Sequence, residues 1–350
     1  MKRREFVKAT ALTGAAGTLA APAVAQGRRR LRIVNAWSAK GAGRGEIAQM
    51  LGARVSALSG SSLTFDLIDR GNTDHTTMLT AVRGGDVDGI VGSEEMWSDL
   101  HPAFGLFTST PGGMTERELE AWIRSNTGQD TWDAFAATHG LKGLYLGDTG
   151  AEYMWTKSAI TDAKQFAGKR IATGGLSAAV FSGLGAQVAT PAADLSVGGV
   201  DAFEAGSLAD QYQSGMEGMG HFYTNTPTRP SSAMSLSMNK ALWDGLSGRE
   251  RGQLTAAATA ITHTVNAAAM QRNALAFQAL RFRSGLTIDE LPMDAWAGLM
   301  AAATPVFDGI ADRDAEGKRV VRAYRRFASA VQNWTMVADG AFTLARARSI

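Results

Sequence analysis

The sequence predicts an α/β protein of two lobes with a helical C-terminal third. Short apolar segments of strand type alternate with helical ones from residue 31 to about 190, the pattern of helices laid against a sheet. The chain has 350 residues, more than one hydrophobic core usually organises. After Ser247 the texture changes to long Ala-rich helical stretches.

Leu31 to Ala36 reads as a strand, Gly45 to Leu58 as an amphipathic helix and Leu63 to Ile68 as a second strand. Thr76 to Arg83 is a helix stopped by Gly84-Gly85, and Val87 to Val91 is an apolar run short enough for a buried strand. Gly143 to Leu146, Arg170 to Thr173 and Val188 to Thr190 continue the series. Arg249 to Arg283 is one long helix, and Asp294 to Ile310 and Ala315 to Ala338 are two more.

The N-terminus predicts export. Lys2, Arg3, Arg4 and Lys8 precede an apolar Ala/Gly-rich run from Ala9 to Ala21 and then Ala23-Val24-Ala25. That is a charged region, a short apolar region and a small-residue cleavage site. The paired arginines resemble a twin-arginine signal, with cleavage expected near Ala25 and a periplasmic destination. Without residues 1 to 26 the chain carries 31 basic and 32 acidic residues. Such neutrality gives no reason to expect nucleic acid or an anionic membrane as partner. There is no cysteine, hence no disulfide, thiolate metal site or cysteine nucleophile.

Enzymatic signals are absent as well. The five histidines are isolated at positions 75, 101, 139, 221 and 263, and no G-x-S-x-G occurs. Gly41-Ala42-Gly43-Arg44-Gly45 misplaces the third glycine of a dinucleotide loop. The sequence is therefore read as non-catalytic, with an exported cofactor-dependent enzyme as the alternative.

Several motifs in order resemble one family. They are Trp37 with Ala53 to Gly60, Pro102-Ala103-Phe104-Gly105-Leu106-Phe107 with Ala121-Trp122, Phe166 to Thr173 leading into Leu184-Gly185-Ala186, Val200-Asp201-Ala202-Phe203-Glu204, and Met238 to Trp243. Together they are similar to the DctP-type solute receptors of TRAP transporters, nearest the branch that binds 2-oxo monocarboxylates. The resemblance implies a two-lobe periplasmic binding protein fold with hinge strands, closing on a small-molecule solute for delivery to membrane permease subunits. It implies a first lobe of 27–150 plus about 235–285, a second of 151–234, and helices over 286–350 that brace the lobes or form a homodimer interface.

The chain departs from the family where the ligand is held. The arginine expected on the Arg170 to Thr173 strand is Ala172 by counting from either flank, leaving Arg170 as a substitute only if it folds inward. Glu152 stands where relatives carry a glutamine near a ligand-associated ion, and Glu95 where they place a tyrosine. Glu204 is kept but followed by Ala205 in place of an aromatic, and Thr190 to Glu204 is about one helical turn short. Glu94 and Glu95 should point opposite ways, and Glu152 has a surface pairing with Lys157 or Arg170 open to it.

One cation lost and two carboxylates gained would repel a ligand carboxylate by about 3 kcal/mol per like-charge pair at ~5 Å and an effective dielectric near 20. Two remedies follow. A calcium or sodium ion could bridge Glu204, Glu152 and the ligand, or the solute could be cationic or zwitterionic against Trp37, Trp97, Tyr153 and Trp155.

Overall fold

The computed structural model describes residues 28–37, 43–69, 75–125, 127–191, 195, 198–224 and 228–349. The signal segment and its cleavage site lie outside the described residues. The described residues form the strands β1 (Arg29–Asn35), β2 (Leu63–Asp69), β3 (Gly89–Gly92), β4 (Leu141–Asp148), β5 (Trp155–Thr156), β6 (Arg170–Thr173), β7 (Gln187–Ala189), β8 (Ala202–Glu204), β9 (His221–Tyr223), β10 (Ala233–Asn239) and β11 (Thr287–Asp289). The helices are α1 (Ile47–Ser59), α2 (His75–Gly84), α3 (Glu116–Arg124), α4 (Gly128–Thr138), α5 (Gly175–Gly183), α6 (Leu208–Gln213), α7 (Lys240–Gly245), α8 (Gly248–Leu280), α9 (Met293–Arg313), α10 (Ala315–Thr335) and α11 (Ala341–Arg348).

The strands build two sheets, one per lobe. The first has the order β2-β1-β3-β10-β4 and the second β11-β9-β5-β8-β6-β7. β1 runs parallel to β2 and β3, while β10 returns antiparallel between β3 and β4. β3 and β4 are buried at every residue, as expected for strands covered on both faces. Gly143 in β4 leaves room for the Trp132 ring, which a Cβ there would overlap.

The first lobe places one core on each face of its sheet. Phe104, Phe107, Trp122, Trp132 and Phe135 fill one, and Leu31, Ile33, Leu51, Val55 and Leu236 the other. The expected strand over Val87 to Val91 begins at Gly89, because Asp88 is spent on Arg32: its side chain and its N–H both bond that residue's backbone.

Two short segments cross between the lobes as an antiparallel ribbon. Thr149 N–H donates to the Ser232 carbonyl at 3.1 Å, and Glu152 N–H to the Arg229 carbonyl at 2.8 Å. Asp148 fastens the start of this ribbon by accepting from Gly150 N–H at 2.7 Å and Ser232 N–H at 2.9 Å.

α8 spans the whole joint. Its start is fixed by a capping box between Ser247 and Glu250, and its 33 residues reach about 50 Å. Ile261 and Val265 enter the first lobe's core, whereas Ala276 and Leu280 enter the second's. The C-terminal helices brace in the same way: Ala295, Leu299 and Ala303 of α9 pack in the second lobe, while Ile310 and residues Val320, Val321 and Tyr324 of α10 pack in the first. Residues 286–350, read as helical, also contribute β11 to the second sheet. Among the described residues no helix is long and apolar enough to cross a membrane.

Candidate functional site

The site lies where the crossing ribbon meets the cleft between the lobes. Glu94 and Glu95 follow the extended Ser93 in a 3-10 turn and not in the extended segment expected; their side chains part because successive residues of such a turn are about 120° apart around its axis. Glu94 turns into the first lobe and accepts from Trp132 Nε1 at 3.1 Å, Ser235 Oγ at 2.8 Å and the Ser237 hydroxyl. Burial pushes its carboxyl above the usual range. Glu95 points the other way, into the cleft.

Behind Glu95, and not itself lining the cleft, stands Arg229, which no sequence motif singled out. Its side chain is only 1% exposed. One guanidinium nitrogen meets the Glu95 carboxylate, a second lies 2.8 Å from Glu152 Oε2, and Nε donates to Ser109 Oγ at 3.2 Å. Burial alone would lower its pKa, but Glu152, Glu95 and Glu204 outweigh that and hold it above the ordinary arginine value. A signal was present: Arg229 is the sole Lys or Arg across residues 171–239. It sits in a Thr/Pro/Ser stretch without periodicity, so no helix or strand pattern pointed to it.

The two other acids are fully enclosed. Glu152 is 2% exposed on its side chain and accepts from Ser232 Oγ at 2.6 Å, besides its contact with Arg229. In place of the surface pairing with Lys157 or Arg170 that was open to it, Glu152 makes a buried one, because the ribbon register sets residues 152 and 229 opposite each other. Burial raises the Glu152 pKa despite Arg229. Glu204 ends β8 with no exposed surface, and the hydroxyls of Thr173 (2.9 Å) and Thr228 donate to its two oxygens. Burial lifts it to about 7, with Arg229 pulling in the opposite sense.

Ala172 and Arg170 do not form the site. Ala172 is buried, paired in register between Ala189 and Phe203, and shares a core with Trp155, Leu195 and Phe203. Arg170 occupies the exposed start of β6; its N–H binds Asp201 and its guanidinium lies beside Gly199. The inward fold on which its role as a substitute depended is therefore not what this arginine adopts. An arginine at position 172 would have to enter that core, so Ala172→Arg is expected to cost about 1–3 kcal/mol in overpacking, measurable as a lowered unfolding midpoint. A variant as stable as the parent would show that the side chain escapes into the cleft.

Of the four candidate aromatics, only Trp37 lines the cleft, with the Arg44 guanidinium 4.9 Å over its ring. Trp97 is buried and donates to Ser237 Oγ at 3.0 Å; Trp155 is buried and donates to Gln211 Oε1 at 2.8 Å. Tyr153 packs on Phe222 and borders a separate cavity with Phe277 and Asn273. The indole N–H groups of the two buried tryptophans are satisfied inside their own lobes, which removes them from ligand contact.

The cleft itself has a volume of about 290 Å³. Trp37, Arg44 and Glu95 come from the first lobe, and Thr173, Gly174, Gly175, Leu195 and Ala205 from the second. Arg44 reaches across to Asp210 of α6 at 3.2 Å. Gly175 has φ +55, and a Cβ there would stand 2.5 Å from Glu95 Oε2. Glycine is thus needed twice over, for the left-handed turn and for the close approach of the carboxylate to the start of α5. Among the described residues no group of three or more His, Cys, Asp or Glu is placed to hold a metal ion.

Comparison with known proteins agrees with this architecture. A family model described as bacterial extracellular solute-binding protein, family 7 (DctP), matches residues 36–314. No curated protein matches the chain. Among solved structures, the chain resembles a TRAP periplasmic solute-binding protein from Pseudoalteromonas atlantica with bound sodium and pyruvate, at 19% identity and TM-score 0.81, covering 90% of this chain and 98% of that one. It resembles one from Colwellia psychrerythraea with calcium and pyruvate, at 17% identity and TM-score 0.83, over 90% and 99%. A Bordetella bronchiseptica receptor with calcium and picolinate gives 19% identity and TM-score 0.85, over 93% and 100%. The chain therefore belongs to the DctP family of bacterial extracellular solute-binding proteins, as a non-catalytic periplasmic receptor that serves a TRAP transporter.

Proposed function

We propose that this receptor captures a small organic acid, such as a 2-oxo monocarboxylate, and that the acid's carboxylate binds the Arg229 guanidinium in place of Glu95. The supporting observation is that a carboxylate already occupies that seat. Glu95 contacts Arg229 from the first lobe while lying against Gly174 and Gly175 of the second. Arg229 is rigidly buried, offers a planar fork that matches a carboxylate, and is joined by the positive end of α5. Trp37 and Thr173 complete the proposed ligand contacts. Similar receptors hold pyruvate, picolinate, pyroglutamate and galacturonate, all of them carboxylates.

A second reading also has an observation behind it. Glu95 and Asp99 both line the cleft, so a zwitterion could place its amine on the displaced Glu95 and its carboxylate on Arg229. A ligand amine without a carboxylate has no such pair of partners.

The sodium or calcium of the relatives does not fit the residues found here. Glu152 is held by Arg229 and Ser232, and Glu204 by two threonine hydroxyls. No step of solute capture is assigned to a metal.

A thermal-shift panel of carboxylates, amino acids and simple amines tests the reading. A true ligand at about 100 times its Kd should stabilise the receptor by about 2.7 kcal/mol. Stabilisation by simple amines and by no carboxylate would overturn it. Glu95→Gln removes the competing charge and should tighten carboxylate binding about tenfold or more. Weaker binding in that variant would mean that Glu95 assists the ligand instead of standing in for it.

A further inference from the structure

We infer that the Arg229 guanidinium takes the place of a bound cation in this cleft, so that the receptor works without sodium or calcium; the solute half of this inference rests on the organic-acid reading above, the metal half does not. Three carboxylates, Glu95, Glu152 and Glu204, converge on one buried positive charge. Glu152 Oε2 lies 2.8 Å from the guanidinium, and its other oxygen accepts from Ser232 Oγ at 2.6 Å. Both oxygens of Glu204 accept threonine hydroxyls. Calcium needs about six to eight oxygen ligands at about 2.3–2.6 Å; of the carboxylate oxygens on Glu152 and Glu204, three accept a hydroxyl, and Glu152 Oε2 lies in ion-pair contact with Arg229 without a hydrogen-bond donor.

An incoming ion would meet opposed fields. At about 4 Å from the guanidinium and an effective dielectric near 20, each of its positive charges would lose about a thousandfold in affinity, while the ionised carboxylates would attract it. The exclusion rests on the guanidinium standing among those acids. Nor can the obstacle be titrated away, since arginine stays protonated at any pH the protein meets. The relatives carry a metal ion together with pyruvate or picolinate. Here a side chain supplies that positive charge permanently, and capture becomes independent of the ion content of the medium.

The test begins with the whole receptor freed of metal by chelator and kept in choline buffer. Calcium alone and sodium alone are titrated by calorimetry and thermal shift; neither should bind. Pyruvate is then titrated as the carboxylate probe in chelator and in about 5 mM calcium, and its affinity should differ by less than about threefold. A stoichiometric calcium or sodium site, or pyruvate binding that appears only with the ion, would overturn the inference. A receptor that takes up neither metal nor any carboxylate would overturn the organic-acid reading and leave the metal half standing.

Arg229→Gln supplies the positive control. It removes the charge and adds an oxygen, and should create calcium uptake that the parent lacks. A folded Arg229→Gln variant with no calcium uptake would overturn the replacement. If that variant does not fold, the titrations of the unmodified receptor decide by themselves.

Discussion

Arg229→Met should lower the unfolding free energy by about 3–5 kcal/mol, the usual cost of removing one partner from a buried ionic cluster, and abolish binding of carboxylate solutes. The unfolding midpoint should fall by on the order of 10 °C. The reason is the company this residue keeps. Glu152 and Glu204 have 2% and 0% exposure, and without the guanidinium they face burial with no opposite charge. They would answer by taking up protons. The deficit relative to the parent should therefore shrink as pH is lowered from 8 to about 5, where neutral carboxyls replace the missing ion pairs. Thermal melts of both proteins across that range measure it. A variant within about 1 °C of the parent at pH 8 would refute the idea that Arg229 holds the cleft together.

A second large effect belongs to Asp148, at the root of the crossing ribbon. Burial pushes its carboxyl up to about 8, with Glu116 and Glu152 adding repulsion and two backbone N–H groups only partly offsetting it. Its Oδ2 meets no donor among the described residues, which suits a protonated acid. Tyr145, three residues before Asp148 in β4, has its own pKa raised by burial and then by Asp148.

The sign follows from proton uptake. Between the ordinary aspartate value near 4 and the folded value near 8, the folded state binds more protons than the unfolded chain. Stability should thus be greatest at the acidic end of that window and fall as pH rises, by up to about 1.4 kcal/mol per pH unit from this group. Asp148→Asn mimics the neutral form and can still accept from Gly150 and Ser232. It should flatten the decline and exceed the parent in stability at pH 8. Parallel stability curves for the two proteins would show that Asp148 is not the titrating group.

The parts of the fold that were legible in the sequence are those set by local pattern. β6 was read as Arg170 to Thr173 and is found there. α8 was read as Arg249 to Arg283 and runs Gly248–Leu280. In both, the signal is the period of apolar residues and the residues that cap them, which neighbours in the chain decide. The site was half legible. Glu95, Glu152 and Glu204 gather around Arg229, and of the three Glu95 alone lines the cleft, whereas Trp97 and Trp155 lie in the cores of separate lobes. An aromatic side chain carries no local mark that distinguishes a cleft wall from a core, because both are apolar environments at the same spacing.

Charge shows the same division more sharply. Counting residues puts Ala172 in the place of the expected arginine, a reading that leaves three acids without an opposing charge. The missing charge comes instead from Arg229, 57 positions further along the sequence, through the antiparallel pairing of Glu152 with Arg229.

The sequence by itself determined the two-lobe α/β architecture and the family, since these rest on patterns and motifs written in contiguous residues. Only the tertiary structure decided which charge stands behind Glu95. A pairing of two crossing segments, with Glu152 on one and Arg229 on the other, is a long-range contact that no local spacing encodes, and Coulomb energy depends on distance in space and not on distance along the chain.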